Sequence, residues 1–263
     1  MDGKLNAQEQ FQKRYQMRRK KIQAARILLF VAFLLLWQSA SDLGWIDSFI
    51  FSSPTELVRT FFDMYRNHGL MTHVGVTLME TLASFILVAV TTVLVSVILW
   101  GFPAVSQVLE PCLVVMNALP KSALAPLLIV WLGANRKTII LAGMSVALFG
   151  SIMNLSQGFR EVSEDKMKLI YTLGGSRRQV LSKVILPASV PYMTSILKVD
   201  IGLCLVGVII GEFIGAREGL GYLIIYSSQV FKLSWLLLAI VLLCILAMLL
   251  YQAVCLAEKR RKY

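Results

Sequence analysis

The sequence predicts an all-α integral membrane protein, and three observations lead there. The first is composition: of 263 residues 57% are hydrophobic and only 16% charged, where soluble domains carry about 25% charged residues. The second is how the apolar residues are grouped. No charge interrupts the stretches between Glu80 and Glu110, Lys137 and Arg160, or Lys232 and Glu258, each at least 22 residues long. A helix that crosses lipid needs roughly 20 apolar positions, and a closed bundle of helices satisfies its backbone groups there. The third is where the positive charge lies. Eight of the 26 basic residues stand at or before Arg26, six between Arg160 and Lys183, and four in the run from Lys259 to Lys262. Basic blocks flanking apolar spans mark the cytoplasmic side. The net charge of +11 therefore reports orientation, and no nucleic-acid partner is expected.

Residues 1–26 read as a basic cytoplasmic tail, too polar and too long for the start of a cleaved signal. The first span covers 27–44, with Trp37 and Trp45 as interfacial anchors. Ser53-Pro54-Thr55-Glu56 has the form of a helix start with a capping box. The apolar residues Leu57, Val58, Phe61, Phe62 and Tyr65 then recur at helical spacing among charges. That helix is amphipathic, too charged to cross, and is expected on the outer surface. A second span covers 77–101. The apolar stretch 107–133 is interrupted by Pro111, Pro120, Lys121 and Pro126, so two short helices joined near Pro120 are expected. Further spans cover 138–157, 187–211 and 234–257, followed by a basic tail, 258–263. Six crossings with both termini inside put every basic block on one face; the outer segments between Trp45 and Val76 and between Ala134 and Lys137 carry only Arg59, Arg66, Arg136 and Lys137.

The segment 160–186 between the fourth and fifth spans is the most informative. Ser163 can cap a helix whose first turn holds Glu164 and Asp165. Gly174-Gly175 stops that helix, since glycine takes the left-handed C′ conformation. Ser176-Arg177-Arg178-Gln179 restarts a second helix with its own capping box, which runs to Leu186-Pro187. A compact helix, glycine turn and helix lying against the cytoplasmic face can be gripped by a partner and can pass motion into the fifth span.

This segment resembles the signature of inner-membrane permeases of binding-protein-dependent ABC importers: Glu-Ala-Ala, three residues, Gly, nine residues, Ile, any residue, Leu-Pro. Gly174 takes the glycine, Val184 the isoleucine position and Leu186-Pro187 the ending, with all spacings kept. The family glutamate falls on Lys168 and its alanines on Leu169 and Ile170, a departure that reverses a charge. Leu119-Pro120-Lys121-Ser122-Ala123-Leu124-Ala125-Pro126, Trp131-Leu132-Gly133, Gly211-Glu212-Phe213 and Gly219-Leu220-Gly221 look like the nitrate, sulfonate and taurine branch.

The resemblance implies a six-helix bundle of the type I importer kind, 27–257, with a cytoplasmic coupling loop, in the bacterial cytoplasmic membrane. It implies two permease copies, an ATPase dimer bound to the loops around Gly174, and an extracytoplasmic solute-binding protein. The solute would be a nitrate-, sulfonate- or taurine-like anion or a vitamin-related heterocycle such as a thiamine precursor or riboflavin. ATP and magnesium would belong to the ATPase, since this sequence has no GxxxxGK[ST] phosphate loop. No enzymatic chemistry and no cofactor of its own are expected.

Other residues stay open at this level. Lys121 either faces the pathway, or snorkels toward the interface or caps carbonyls freed by Pro120 and Pro126. Glu212 either gates or orients the loop that follows, or caps its helix. Lys198 is expected to reach the cytoplasmic loop and Asp200 a neighbouring helix. Arg177, Arg178 and Lys183 fit ATPase docking, a solvated face or lipid headgroups. Gly215, Gly219 and Gly221 suit a re-entrant turn. His68 and His73 have no companions at ligand spacing, so no metal site is expected, and the four cysteines lack CxxC spacing. A gradient-driven carrier is the main alternative, but it calls for paired broken helices, and Pro120 has no counterpart in the second half.

Overall fold

The computed structural model describes residues 7–261, and among them no strand occurs. Lys4 and Lys262, at the far ends of the two basic segments, lie outside the described residues. Helix α1 (Ala7–Asp42) joins the basic segment and the first apolar run in one rod. After a short α2 (Ser48–Phe51) comes α3 (Pro54–Asn67). Ser53 Oγ accepts the Glu56 N–H at 3.2 Å, with Pro54 in the first turn where its missing proton costs nothing. The other half of the expected capping box is not made: the Glu56 carboxylate turns to Arg59, 4.0 Å away.

The remaining helices are α4 (Leu70–Gly101), α5 (Pro103–Ala118), α6 (Lys121–Leu132), α7 (Arg136–Arg160), α8 (Glu164–Thr172), α9 (Arg177–Val180), α10 (Leu186–Ala188), α11 (Val190–Gly215), α12 (Leu220–Gln229) and α13 (Leu233–Arg261). Five helices are long and apolar enough to cross a membrane, and α5 with α6, bent by 96° between them, is a sixth if the pair crosses as one broken span. The break falls at Leu119-Pro120, where Leu119 is extended (φ −60°, ψ 137°), as a residue before proline prefers. Pro111, expected to interrupt this stretch, sits inside α5 without ending it.

The centre of the bundle is the crossing of α4, α7 and α11. Lipid is as apolar as leucine, so helices associate there by close packing and by hydrogen bonds between them. Both devices are present. Ser84 on α4 shares its hydroxyl proton between the carbonyls of Glu80 (2.8 Å) and Ile140 on α7 (2.9 Å). Gly143 on α7 and Gly207 on α11 let the backbones touch: a Cβ on Gly207 would stand 2.8 Å from both the Ala142 carbonyl oxygen and the Gly143 Cα. Backbone cannot step aside, so Gly207→Ala is expected to destabilise the bundle by about 1–3 kcal/mol. A lowered thermal midpoint for the detergent-purified protein checks this, and an unchanged midpoint contradicts it.

Two apolar clusters flank the crossing. Toward one end Leu57, Met64 and Leu70 meet Leu220, Leu223 and Leu238. Toward the other, Leu155 and Phe159 of α7 meet Val180 and Ile185. The second cluster roots the helix-turn-helix in the bundle.

Candidate functional site

Helix α8 starts after Ser163, but the serine side chain makes no capping bond. Glu164, in the first turn, instead pairs with Lys168 one turn on, at 3.2 Å. At the far end Gly175 N–H returns to the Ile170 carbonyl (2.8 Å) and Gly174 N–H to Tyr171 (2.9 Å). This double closure needs a left-handed residue, and Gly174 supplies it at φ +77°. The restart is fixed by Gln179, whose Oε1 accepts the Ser176 N–H at 2.7 Å.

The second helix does not stop at Leu186-Pro187, as its sequence suggests. It widens into a π-helical turn, Leu181–Ile185, passes through α10 and meets α11 at Ser189. The cause is Pro187, which has no proton for the Lys183 carbonyl and whose ring crowds it, so the backbone opens by one residue. That extra residue places Val180 and Ile185, five apart, together in the buried cluster. Sequence alone does not pair them, because an α-helical period puts them on different faces.

The two halves of the unit face opposite ways. α9 is held inward: Arg177 donates to the Trp100 carbonyl at 3.1 Å and lies 5.3 Å above the Trp100 ring. Arg177 is therefore committed to the end of α4, while Arg178 and Lys183 stay exposed. α8 buries no residue completely. Ile170 packs against the cluster beneath, whereas Leu169 is 59% exposed and Leu173 76%. Val184 and Leu186 are half-buried and Pro187 exposed.

At the broken span, the Lys121 ammonium donates to the carbonyls of Met116 (2.9 Å) and Asn117 (2.7 Å). Met116 lies four residues before Pro120, which has no N–H to give. The Lys121 ammonium therefore lies on a carbonyl that Pro120 leaves without a donor. Glu212, 1% exposed, holds the loop after α11. Its carboxylate accepts from Thr77 Oγ1 on α4 (2.7 Å) and from the Gly221 N–H (2.6 Å), while Thr77 accepts the Leu220 N–H (2.8 Å). A Cβ on Gly219 would lie 2.5 Å from both Glu212 oxygens, so only glycine fits against this carboxyl. The buried Glu80 carboxyl lies beside it. Glu212 thus ties Gly221 directly, and Leu220 through Thr77, to the buried end of α11.

Residues 98–257, which hold the broken span, the helix-turn-helix and the Glu212 loop, match the family described as binding-protein-dependent transport system inner membrane component. The chain belongs to that family. The permease is 30% identical over 234 residues, 88% of this chain and 94% of the other, to a probable ABC transporter permease protein of Haemophilus influenzae. It is 26% identical to a putative aliphatic sulfonates transport permease of Bacillus subtilis, over 89% of this chain and 85% of that one. It is also 26% identical to the formylaminopyrimidine transport permease of Halalkalibacterium halodurans, over 74% and 77%. In fold the permease is similar to the inward-facing MetNI methionine ABC transporter, with a TM-score of 0.65 at 18% identity over 73% of this chain and 95% of that chain. The permease is therefore the membrane subunit of an ATP-driven importer, and the gradient-driven carrier is set aside. Two further residues in the permease find partners that sequence could not name. Lys198 does not reach the helix-turn-helix; it pairs with Glu258 of α13 at 2.5 Å. Asp200 reaches α7, where Ser151 donates to it at 2.5 Å.

Proposed function

We propose that two copies of this permease enclose the solute pathway, and that two ATPase subunits grip the α8–Gly174–α9 units from the cytosol. In this reading α8, rooted through α9 and the π turn in the α7 and α11 core, is a handle. ATPase closure draws the two handles together and shifts the bundle between two packed states. Residues 27–257 form the membrane domain, the basic segments on either side lie in the cytosol, and a binding protein delivers the solute from outside. ATP and magnesium sit on the ATPase; this chain holds no cofactor.

One observation carries the reading: α8 offers water an exposed apolar face around Leu169 and Leu173, directly before a rigid turn whose other arm is anchored in the core through Val180 and Ile185. Such a face rimmed by charge marks a protein contact. Lys168 stands next to Leu169 in the chain, Gly175, Arg178 and Lys183 follow in the turn and its second arm, and Lys168 exchanges Glu164 for an acidic group of the ATPase. Leu173→Asp is expected to lower co-purification of the ATPase at least tenfold with no loss of permease from the membrane. Full recovery of the ATPase with that variant would remove the basis of the assignment. The solute is taken from the classes that relatives are named for: aliphatic sulfonates and taurine, or formylaminopyrimidine and riboflavin.

A further inference from the structure

Three helices converge on a pocket of about 270 Å³ bordered by Asn117 at the end of α5, Ser151 and Asn154 on α7, and Tyr192, Ser195 and Asp200 on α11. At 1.5 Å per residue Asp200 stands about 15 Å along α11 from its start. That is near the middle of a hydrocarbon core about 30 Å thick. Gly150 leaves room for the Asn117 side chain, whose Oδ1 would stand 3.2 Å from a Cβ there.

Asp200 is 2% exposed. One of its oxygens accepts from Ser151 at 2.5 Å; the other has no hydrogen-bond partner. No lysine or arginine lines the pocket. The Lys121 ammonium is turned to the Met116 and Asn117 carbonyls, and Lys198 is paired with Glu258. A buried acceptor left without a donor is costly, and at membrane depth an ionisable side chain with no cation to pair with points to a solute or ion path.

We propose that this pocket holds the transported solute midway across, and that the free Asp200 oxygen selects a solute presenting N–H donors or positive charge. A small nitrogen heterocycle with an exocyclic amine fits that description; nitrate, or a sulfonate that carries no amine, does not. An anion brought to this pocket meets an acceptor with no cation to offset it, whereas an N–H satisfies the orphaned oxygen. Sites built around a buried hydrogen-bonding group reject solutes that lack the complementary group far more strongly than apolar pockets discriminate by shape. The volume falls just below the usual range for ligand pockets, about 300–1,000 Å³, which suits a single ring. This inference rests on the importer reading given above and narrows its solute.

The test uses the importer assembled with its ATPase in lipid nanodiscs, with 4-amino-2-methylpyrimidine and methanesulfonate as probes in equilibrium dialysis. The aminopyrimidine is expected to be retained saturably, with affinity falling at least tenfold in Asp200→Asn and at least threefold in Asn154→Ala, and methanesulfonate is expected not to be retained. The second variant keeps the test open should the first fail to fold. Retention of methanesulfonate equal to that of the aminopyrimidine, no retention of the aminopyrimidine, or affinity unchanged in both variants would each overturn the proposal. ATPase activity is read on the same samples. Normal hydrolysis with failed binding sinks the pocket alone, while a permease that captures no ATPase sinks the importer reading first.

Discussion

Replacing Gly174 by valine is expected to reduce solute uptake more than tenfold while the protein still inserts and accumulates in the membrane. The obstacle is backbone, not space: nothing lies within 4 Å of a Cβ built at Gly174, but φ there is +77°. A left-handed conformation costs an ordinary residue about 1–2 kcal/mol, and a β-branched one is a genuine outlier. The turn would relax by breaking the returns of Gly174 to Tyr171 and of Gly175 to Ile170. α8 would then swing while α9, pinned by Val180, Ile185 and Arg177, stayed in place. Asparagine tolerates the left-handed region, so Gly174→Asn is expected to keep most of the uptake. Transport by reconstituted complexes, normalised to permease content, checks both; valine at full activity would end the case for a rigid handle.

Glu212→Ala is expected to cost about 2–4 kcal/mol of stability and to free the loop after α11. The change strips an acceptor from the Gly221 N–H and from Thr77 Oγ1 at once, in a site where water is excluded. Each buried group left unpaired costs about 1–3 kcal/mol, and removing the neighbouring Glu80 carboxyl's close companion returns part of that sum. Glu212→Gln should fall between, because the amide keeps one acceptor oxygen and places a donor where the second stood. Thermal unfolding and protease cleavage near residues 215–221 give the readout. An alanine variant that melts with the parent and resists cleavage would show that the loop is held by apolar contacts instead.

Much of this architecture is legible in the amino-acid order, and the parts that are not share a cause. Uncharged runs longer than a bilayer crossing disclose the spans, Pro120 the break, and Gly174-Gly175 the turn, because each is a local backbone property. Partners distant in sequence have no local signature: Glu212 and Thr77 are 135 residues apart, Ser151 and Asp200 49. Which face of a span is buried is equally hidden. A helix apolar all round has no stripe to separate core from lipid, so Val88 (buried) and Val90 (exposed) of α4 read alike. The π turn needed one inference more, from the missing proton of Pro187 to a widened spiral upstream of it. Lys121 is a further case: the sequence leaves several roles open, and the Met116 and Asn117 carbonyls it donates to are visible only in the fold.

Helix α1 differs from the other spans in that almost all its side chains from Tyr15 onward are exposed, with Trp37 and Ser41 among the few that are not. Its apolar part, from Ile27 to the helix end at Asp42, is about 24 Å long, less than the hydrocarbon thickness it must bridge. α4, at 32 residues, exceeds that thickness by far, yet its inclination is dictated by α7 and α11. Hydrophobic mismatch therefore acts unevenly within one chain. A thinner or thicker bilayer would re-tilt the first rod and leave the three-helix crossing where it stands.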